Sequence, residues 1–280
     1  SADILIQSRK QADPLTGDAV FPKAARLPNT RLETFVFAAT DLERYVDIQR
    51  GQGVRFLTDT IVDSAHFRFI QTIPSSFSEI SYGFLEWKGS DRNYAGNTSR
   101  NPGWHFSKPA NPLLRNIKEL DHTATRVEAR NRDAAIIEFM TLTNYRFEFS
   151  VYVKIFNSIT NVARLSTDDF AMVFTSGIHP YIDDEKSGPT EKFIHNYGSR
   201  VHHMAFRTEH IEDTFKSLKQ SGMEFLIGLV GNEQEGLRQT FSKPSEHTLL
   251  VNEYIHRYGD FDGFFTASNV TLLTGATDKQ

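Results

Sequence analysis

Val201-His202-His203-Met204-Ala205-Phe206-Arg207-Thr208-Glu209 has an upstream twin, Leu120-Asp121-His122-Thr123-Ala124-Thr125-Arg126-Val127-Glu128. Both read His-x-Ala-x-Arg-x-Glu. Each is followed by a run with helical apolar spacing, Ala129 to Phe139 after the first and His210 to Leu218 after the second. The chain therefore holds an internal repeat whose unit is a strand and then a helix. Side chains alternate along a strand, so Val201, His203 and Ala205 are expected on one face, with His202, Met204 and Phe206 on the other. Only one of the two adjacent histidines should then face a given cavity. By the same alternation Leu120, His122 and Ala124 share a face, which gives His122 and His203 the same place in two copies of one unit.

A carboxylate completes the pattern. Thr248 to Arg257 alternates as a strand in which Leu249, Val251, Glu253 and Ile255 share a face. An ionised carboxylate in an apolar row is costly unless it is paired or binds a metal. Two histidines and one carboxylate with open positions make the facial triad of non-haem Fe(II) oxygenases. A single histidine on an apolar strand is more often a hydrogen-bonded core residue, and it is the repetition that lifts this pair above that reading. The chain has no Cys, so any metal must be held by His and carboxylates.

Together with Gly236-Leu237-Arg238-Gln239-Thr240-Phe241-Ser242-Lys243-Pro244 and Asn252-Glu253-Tyr254-Ile255-His256-Arg257-Tyr258-Gly259, these segments resemble the vicinal-oxygen-chelate superfamily. Within it they resemble the branch of 4-hydroxyphenylpyruvate dioxygenase and hydroxymandelate synthase. The match runs in the family's order over roughly the C-terminal three-fifths of the chain, and the conjunction is far more specific than any one motif. The resemblance implies an α+β fold of repeated βαβββ modules, the last two forming a half-open barrel around a metal. It implies Fe(II) on His122, His203 and Glu253, a Gln239 that faces the substrate and a Phe241 that walls the pocket. Asn161, Phe265, Asn269 and Val270 carry over as pocket positions, and a C-terminal helix as the element that closes the site. The implied reaction is oxidative decarboxylation of a 2-oxo acid by O2 with hydroxylation. The same superfamily also offers extradiol ring cleavage and metal-dependent isomerase or lyase chemistry, and a binding protein that keeps the fold without turnover is a further reading. Where the family's closing helix carries a clamping aromatic ring, this chain reads Phe265-Thr266-Ala267-Ser268-Asn269-Val270, so a substrate other than 4-hydroxyphenylpyruvate is expected.

The 280 residues carry a formal net charge of -4 and no long basic run, which argues against nucleic acid as a partner. No stretch is long and apolar enough to span a bilayer and the start lacks an apolar signal core, so a cytoplasmic protein is expected. Residues 1 to 30 are broken by Pro14, Gly17, Pro22 and Pro28 and read as an extended arm. From Arg31 a third, degenerate copy of the unit is expected: strand Glu33 to Ala39, N-cap Asp41, helix Leu42 to Gln49, then strands at Val54 to Leu57, His66 to Thr72 and Ile80 to Trp87. Thr34 stands there in the place of the His, and Glu86 resembles Glu253 in position. Gly and Pro between 88 and 118 mark the boundary, giving a structural part over 1–118 and a catalytic, metal-binding part over 119–280. The second module's last strand, Phe170 to Phe174, offers no Asp, Glu or His, so the module pair supplies three ligands and leaves sites open. The N-terminal module lacks a partner of its own, and a homodimer that covers its apolar face is expected.

Overall fold

A computed structural model describes residues 2–6, 21–23, 30–96, 99, 103–105, 110–259, 261 and 263–280, so most of the expected arm lies outside the described residues. The chain divides into two compact units, Glu33–Ala110 and Asn111–Gln280, the second taking in the segment up to Leu32. Two residues of that segment bond to the second unit: Lys23 N donates to Asn196 O at 3.1 Å, and Arg200 Nη2 to Thr30 O at 3.3 Å. The break falls at 110 rather than 118 because a single-turn helix at Pro112–Asn116 already belongs to the second unit, where Asn116 Nδ2 donates to Thr214 Oγ1.

In the first unit β1 (Thr34–Ala38), α1 (Leu42–Gly51), β2 (Val62–Asp63), β3 (Phe67–Gln71) and β4 (Ser81–Trp87) form a sheet of order β1-β4-β3-β2, with β1 and β4 parallel. Asp41 caps α1 by accepting from Arg44 N at 3.0 Å, Leu42 and Val46 of the helix are buried, as are Ile70, Tyr82 and Phe84 of the sheet, and the Tyr45 ring lies 4.2 Å from that of Phe84. Burial of each such side chain contributes roughly 1.5–3 kcal/mol. Two expectations change here. Val54 to Leu57 is no strand but holds one isolated bridge, Phe56 to Thr72, and the edge strand is Val62–Asp63 instead. The register also moves the carboxylate's counterpart: Glu253 pairs two residues beyond its histidine, and two beyond Thr34 is Val36, whose partner is Gly83, not Glu86. A Cβ at Gly83 would lie 2.8 Å from the Phe69 ring, so that place is filled. Glu86 serves α1, accepting from Leu42 N and Arg68 Nη1, both at 3.3 Å.

The second unit repeats the plan twice. Its elements are β5 (Ile117–Arg126), α2 (Arg132–Leu142), β6 (Arg146–Val153), β7 (Ser158–Arg164) and β8 (Ala171–Gly177), then α3 (Pro189–Tyr197), then β9 (Arg200–Thr208), α4 (Ile211–Gln220), β10 (Val230–Asn232), β11 (Leu237–Phe241), β12 (Val251–Arg257) and α5 (Ala267–Ala276). The eight strands form one sheet of order β10-β11-β12-β9-β5-β8-β7-β6, curled into a half-barrel. Each half has the order of the first unit, and the halves meet through β5 and β9, which pair antiparallel as a two-fold relation between repeats requires. The architecture is thus the repeated βαβββ plan in an α+β fold. Ala124, Val162, Ala171, Val173 and Phe264 pack as one buried cluster within it. No helix among the described residues is long and apolar enough to cross a membrane.

Candidate metal centre

His122 on β5, His203 on β9 and Glu253 on β12 meet because register lines them up across three adjacent strands: both His122 and Glu253 pair with Ala205. Glu253 Oε2 lies 3.1 Å from His122 Nε2 and 3.3 Å from His203 Nε2. His122 and Glu253 are buried, and the His203 side chain is 12% exposed. The pseudo-symmetric place of Glu253 in the other module is Val173, paired with Ala124, so the second carboxylate is replaced by a buried apolar side chain.

A β-bulge precedes each histidine. Between Leu120–Phe206 and His122–Ala205 the strand β5 advances two residues while β9 advances one, which makes Asp121 the extra residue. Between Ala124–His203 and Thr125–Val201 the extra residue is His202 on β9. On a flat strand neighbouring side chains point to opposite faces; a bulge re-aims them. Asp121 Oδ1 accordingly lies 2.7 Å from His122 Nδ1, and His202 Nδ1 lies 2.9 Å from His203 Nδ1. The expected strict alternation is corrected at both places. His202 is buried beside His203 and also lines the cavity.

These contacts set the tautomers. A carboxylate only accepts, so His122 carries its proton on Nδ1 and turns the lone pair of Nε2 toward Glu253. For His203 to do the same, His202 must accept at Nδ1 and donate from Nε2, where Gln280 Oε1 lies 3.0 Å away. Asp121 is in turn held by Arg257, at 2.5 and 3.1 Å. Glu253 is aimed by its other oxygen: Gln239 Nε2 donates to Oε1 at 2.5 Å, and Gln239 Oε1 accepts from Asn269 Nδ2 at 3.0 Å. Asn269 needs room that only glycine leaves, since a Cβ on Gly231 (φ +79°) would lie 2.5 Å from its Nδ2.

The donor set fits a metal ion. Two ligands at right angles and about 2.1 Å from one ion stand about 3 Å apart, close to the spacing seen here. Among the described residues these three are the His and carboxylate group whose ligand atoms all lie within 4.8 Å of one another. His122 Nε2 is buried without a hydrogen-bond partner although an oxygen of Glu253 is 3.1 Å away, an arrangement in which one ion could take both atoms as ligands. Without an ion, burial works against a charged His122, yet Glu253 and Asp121 outweigh it and raise its pKa to about 9. His203 is pushed well below the usual imidazole range by burial and by the repulsion that its protonated form would meet from His202, His122 and Arg126. Asp121 stays well below the carboxylate range despite burial, held by His122 and Arg257.

A cavity opens on this group. Ala124, Arg126, Thr160, Val173, Thr175 and Thr190 line it with His202, His203 and Glu253, and Phe241, Phe265, Val270 and Leu273 close it from β11 and the C-terminal segment. The Phe241 ring lies 4.9 Å from His203, and Phe264 and Phe265 lie 5.1 and 5.2 Å from His122. Of the residues expected at the pocket, Phe241, Phe265 and Val270 line it. Gln239 and Asn269 stand behind Glu253, and Asn161 is on the face of β7 opposite to Thr160, accepting from Ser150. Sequence reading missed Asp121, Gln280 and Arg126. The first and last lie inside the repeated motif; Gln280 carries no local signal.

No family model matches the chain, and no curated protein sequence matches it. In three dimensions the chain has the vicinal-oxygen-chelate fold. It is similar to a triple mutant of 4-hydroxymandelate synthase from Streptomyces coelicolor, with a TM-score of 0.62 at 16% identity over 89% of this chain and 77% of that one. Methylmalonyl-CoA epimerases from Streptomyces coelicolor and Mycobacterium tuberculosis each match 51% of this chain, both with a TM-score of 0.42, at 15% and 12% identity over 99% and 91% of their own length. The likeness to the synthase establishes the fold; the chemistry rests on the site.

Proposed function

We propose that the protein is a non-haem Fe(II) dioxygenase acting on a 2-oxo acid, with His122, His203 and Glu253 as the ligands. The observation that carries the proposal is the convergence of two imidazole Nε2 atoms and one carboxylate oxygen on a point beside a cavity. Two histidines and one carboxylate leave open positions for a chelating substrate and O2. When bound, iron supplies the redox chemistry by which the 2-oxo acid loses its carboxylate as CO2, one oxygen atom of O2 entering the new carboxylate and the other a hydroxyl group. The protein's part is geometry and dryness. Asp121 and His202 hold the imidazoles in the Nδ1–H tautomer, and Gln239 aims Glu253 Oε2. Phe241, Phe264 and Phe265 exclude water around the histidines.

The test is metal analysis with oxygen uptake. Purified protein reconstituted anaerobically with Fe(II) is expected to consume O2 when given a matching 2-oxo acid. Tight zinc, or no uptake with any 2-oxo acid, would sink the reading; uptake with catechols alone would replace it by ring cleavage. Val270, at the expected position of the clamping ring, lines the cavity and offers no ring face. Turnover of 4-hydroxyphenylpyruvate is therefore expected to be weak or nil, and fast conversion to homogentisate would overturn that expectation.

A further inference from the structure

The repeated motif ends in an arginine in each copy, and the two have opposite fates. Arg207 on β9 is 61% exposed and pairs with Glu119 at the surface. Arg126, its counterpart on β5, is 4% exposed. Its Nη2 donates to Thr277 Oγ1 at 2.8 Å and its guanidinium carbon lies 4.6 Å over the Phe193 ring. Nη1 is buried with no hydrogen-bond partner, and among the described residues no carboxylate lies within ion-pair distance of this side chain. Burial lowers its pKa to about 9, which leaves it charged at neutral pH. A buried guanidinium without a counter-ion is costly, and a ring face and one hydroxyl satisfy only part of it. Arg126 lines the same cavity as His203 and Glu253.

We infer that Arg126 is the receptor for a second anionic group, a carboxylate, on the substrate, so that the cavity takes a 2-oxo diacid whose keto-acid end chelates the metal. The inference rests on the dioxygenase reading for the identity of the chelating end only. The planar fork of donors matches a carboxylate, and a substrate carboxylate supplies the partner that Nη1 lacks. Charge agrees: neutral imidazoles, one carboxylate, a divalent ion and Arg126 leave the cavity positive, which a dianion neutralises. Position agrees too. Arg126 and His122 are four residues apart on β5, about 13 Å between their Cα atoms at about 3.3 Å per residue, so the two ends of one ligand are engaged at separate places.

The experiment measures dissociation constants on the Fe(II)-loaded chain without oxygen. 2-Oxo diacids of four to seven carbons are compared with 2-oxo monoacids of the same carbon number, for example 2-oxoadipate with 2-oxohexanoate. At least one diacid is expected to bind about tenfold or more tighter than its neutral-tailed mate, the worth of a charge-assisted hydrogen-bonded pair. Arg126→Gln is expected to erase that difference, and Arg126→Lys to restore part of it. Equal affinity of every pair in the wild-type chain overturns the inference, as does a preference that survives in R126Q. The wild-type comparison decides even if R126Q fails to fold. Diacid preference without O2 uptake would remove the dioxygenase reading and keep Arg126 as an anion receptor. O2 uptake with monoacids at full affinity would do the reverse.

Discussion

β5 and β9 present the same histidine in the same way with different supports. On β5 a bulged Asp121, clamped by Arg257, holds His122; on β9 a bulged His202, backed by Gln280, holds His203. A carboxylate strengthens a ligand imidazole by its charge, whereas a neutral imidazole fixes only its orientation. The difference teaches that the two-fold repeat conserves the device, an extra residue that reaches the next side chain's Nδ1, while the residue filling it is free to vary.

The comparison is broken most severely at the ligands. His122→Ala, His203→Ala or Glu253→Ala is expected to lower metal affinity by more than about 100-fold with the circular dichroism spectrum retained, whereas His202→Ala keeps stoichiometric metal. Loss of metal in His202→Ala with retention in His203→Ala would reverse the assignment on β9.

Removing the supports comes next. Asp121→Ala is expected near the upper end of the 10–100-fold loss typical of such partners, because it also strips the half-buried Arg257 of its counter-charge, and His202→Phe near the lower end. Metal titration of both variants checks this, and equal losses would mean that the charge of Asp121 adds nothing.

The smallest effect is read without metal. His122 has a folded pKa of about 9 against an unfolded value of about 6.5. Its contribution is fully present below pH 6.5 and is lost as pH rises through 9, so the metal-free protein should lose about 2 kcal/mol of stability between pH 6.5 and 8. His203, whose pKa is lowered, acts in the opposite sense and only below pH 6.5, where the unfolded chain takes up a proton that the folded one refuses. Metal replaces the proton on His122, and the loaded protein should show no such decline. Urea melts at the two pH values decide, and a metal-free protein of equal stability at both would remove the charge assigned to His122.

What the sequence by itself determined follows from periodicity. Alternation and the repeat picked out His122, His203 and Glu253 and a unit of strand then helix, because which face a strand residue occupies is a local property; the βαβββ plan came from the resemblance of the motifs to a known family. Four features were left to the tertiary structure. The bulges at Asp121 and His202 exist only as a mismatch of register between β5 and β9, which neither strand encodes alone. Gln239 was legible as a polar residue in an apolar row, but only the pairing of β11 with β12 turns it toward Glu253 instead of the substrate. The counterpart of Glu253 in the first unit is Gly83 and not Glu86, again a matter of register. Arg126 and Arg207 are indistinguishable in their motifs. Neighbours distant in sequence, Thr277 and Phe193 around Arg126 and solvent with Glu119 beside Arg207, decide which of the two is buried.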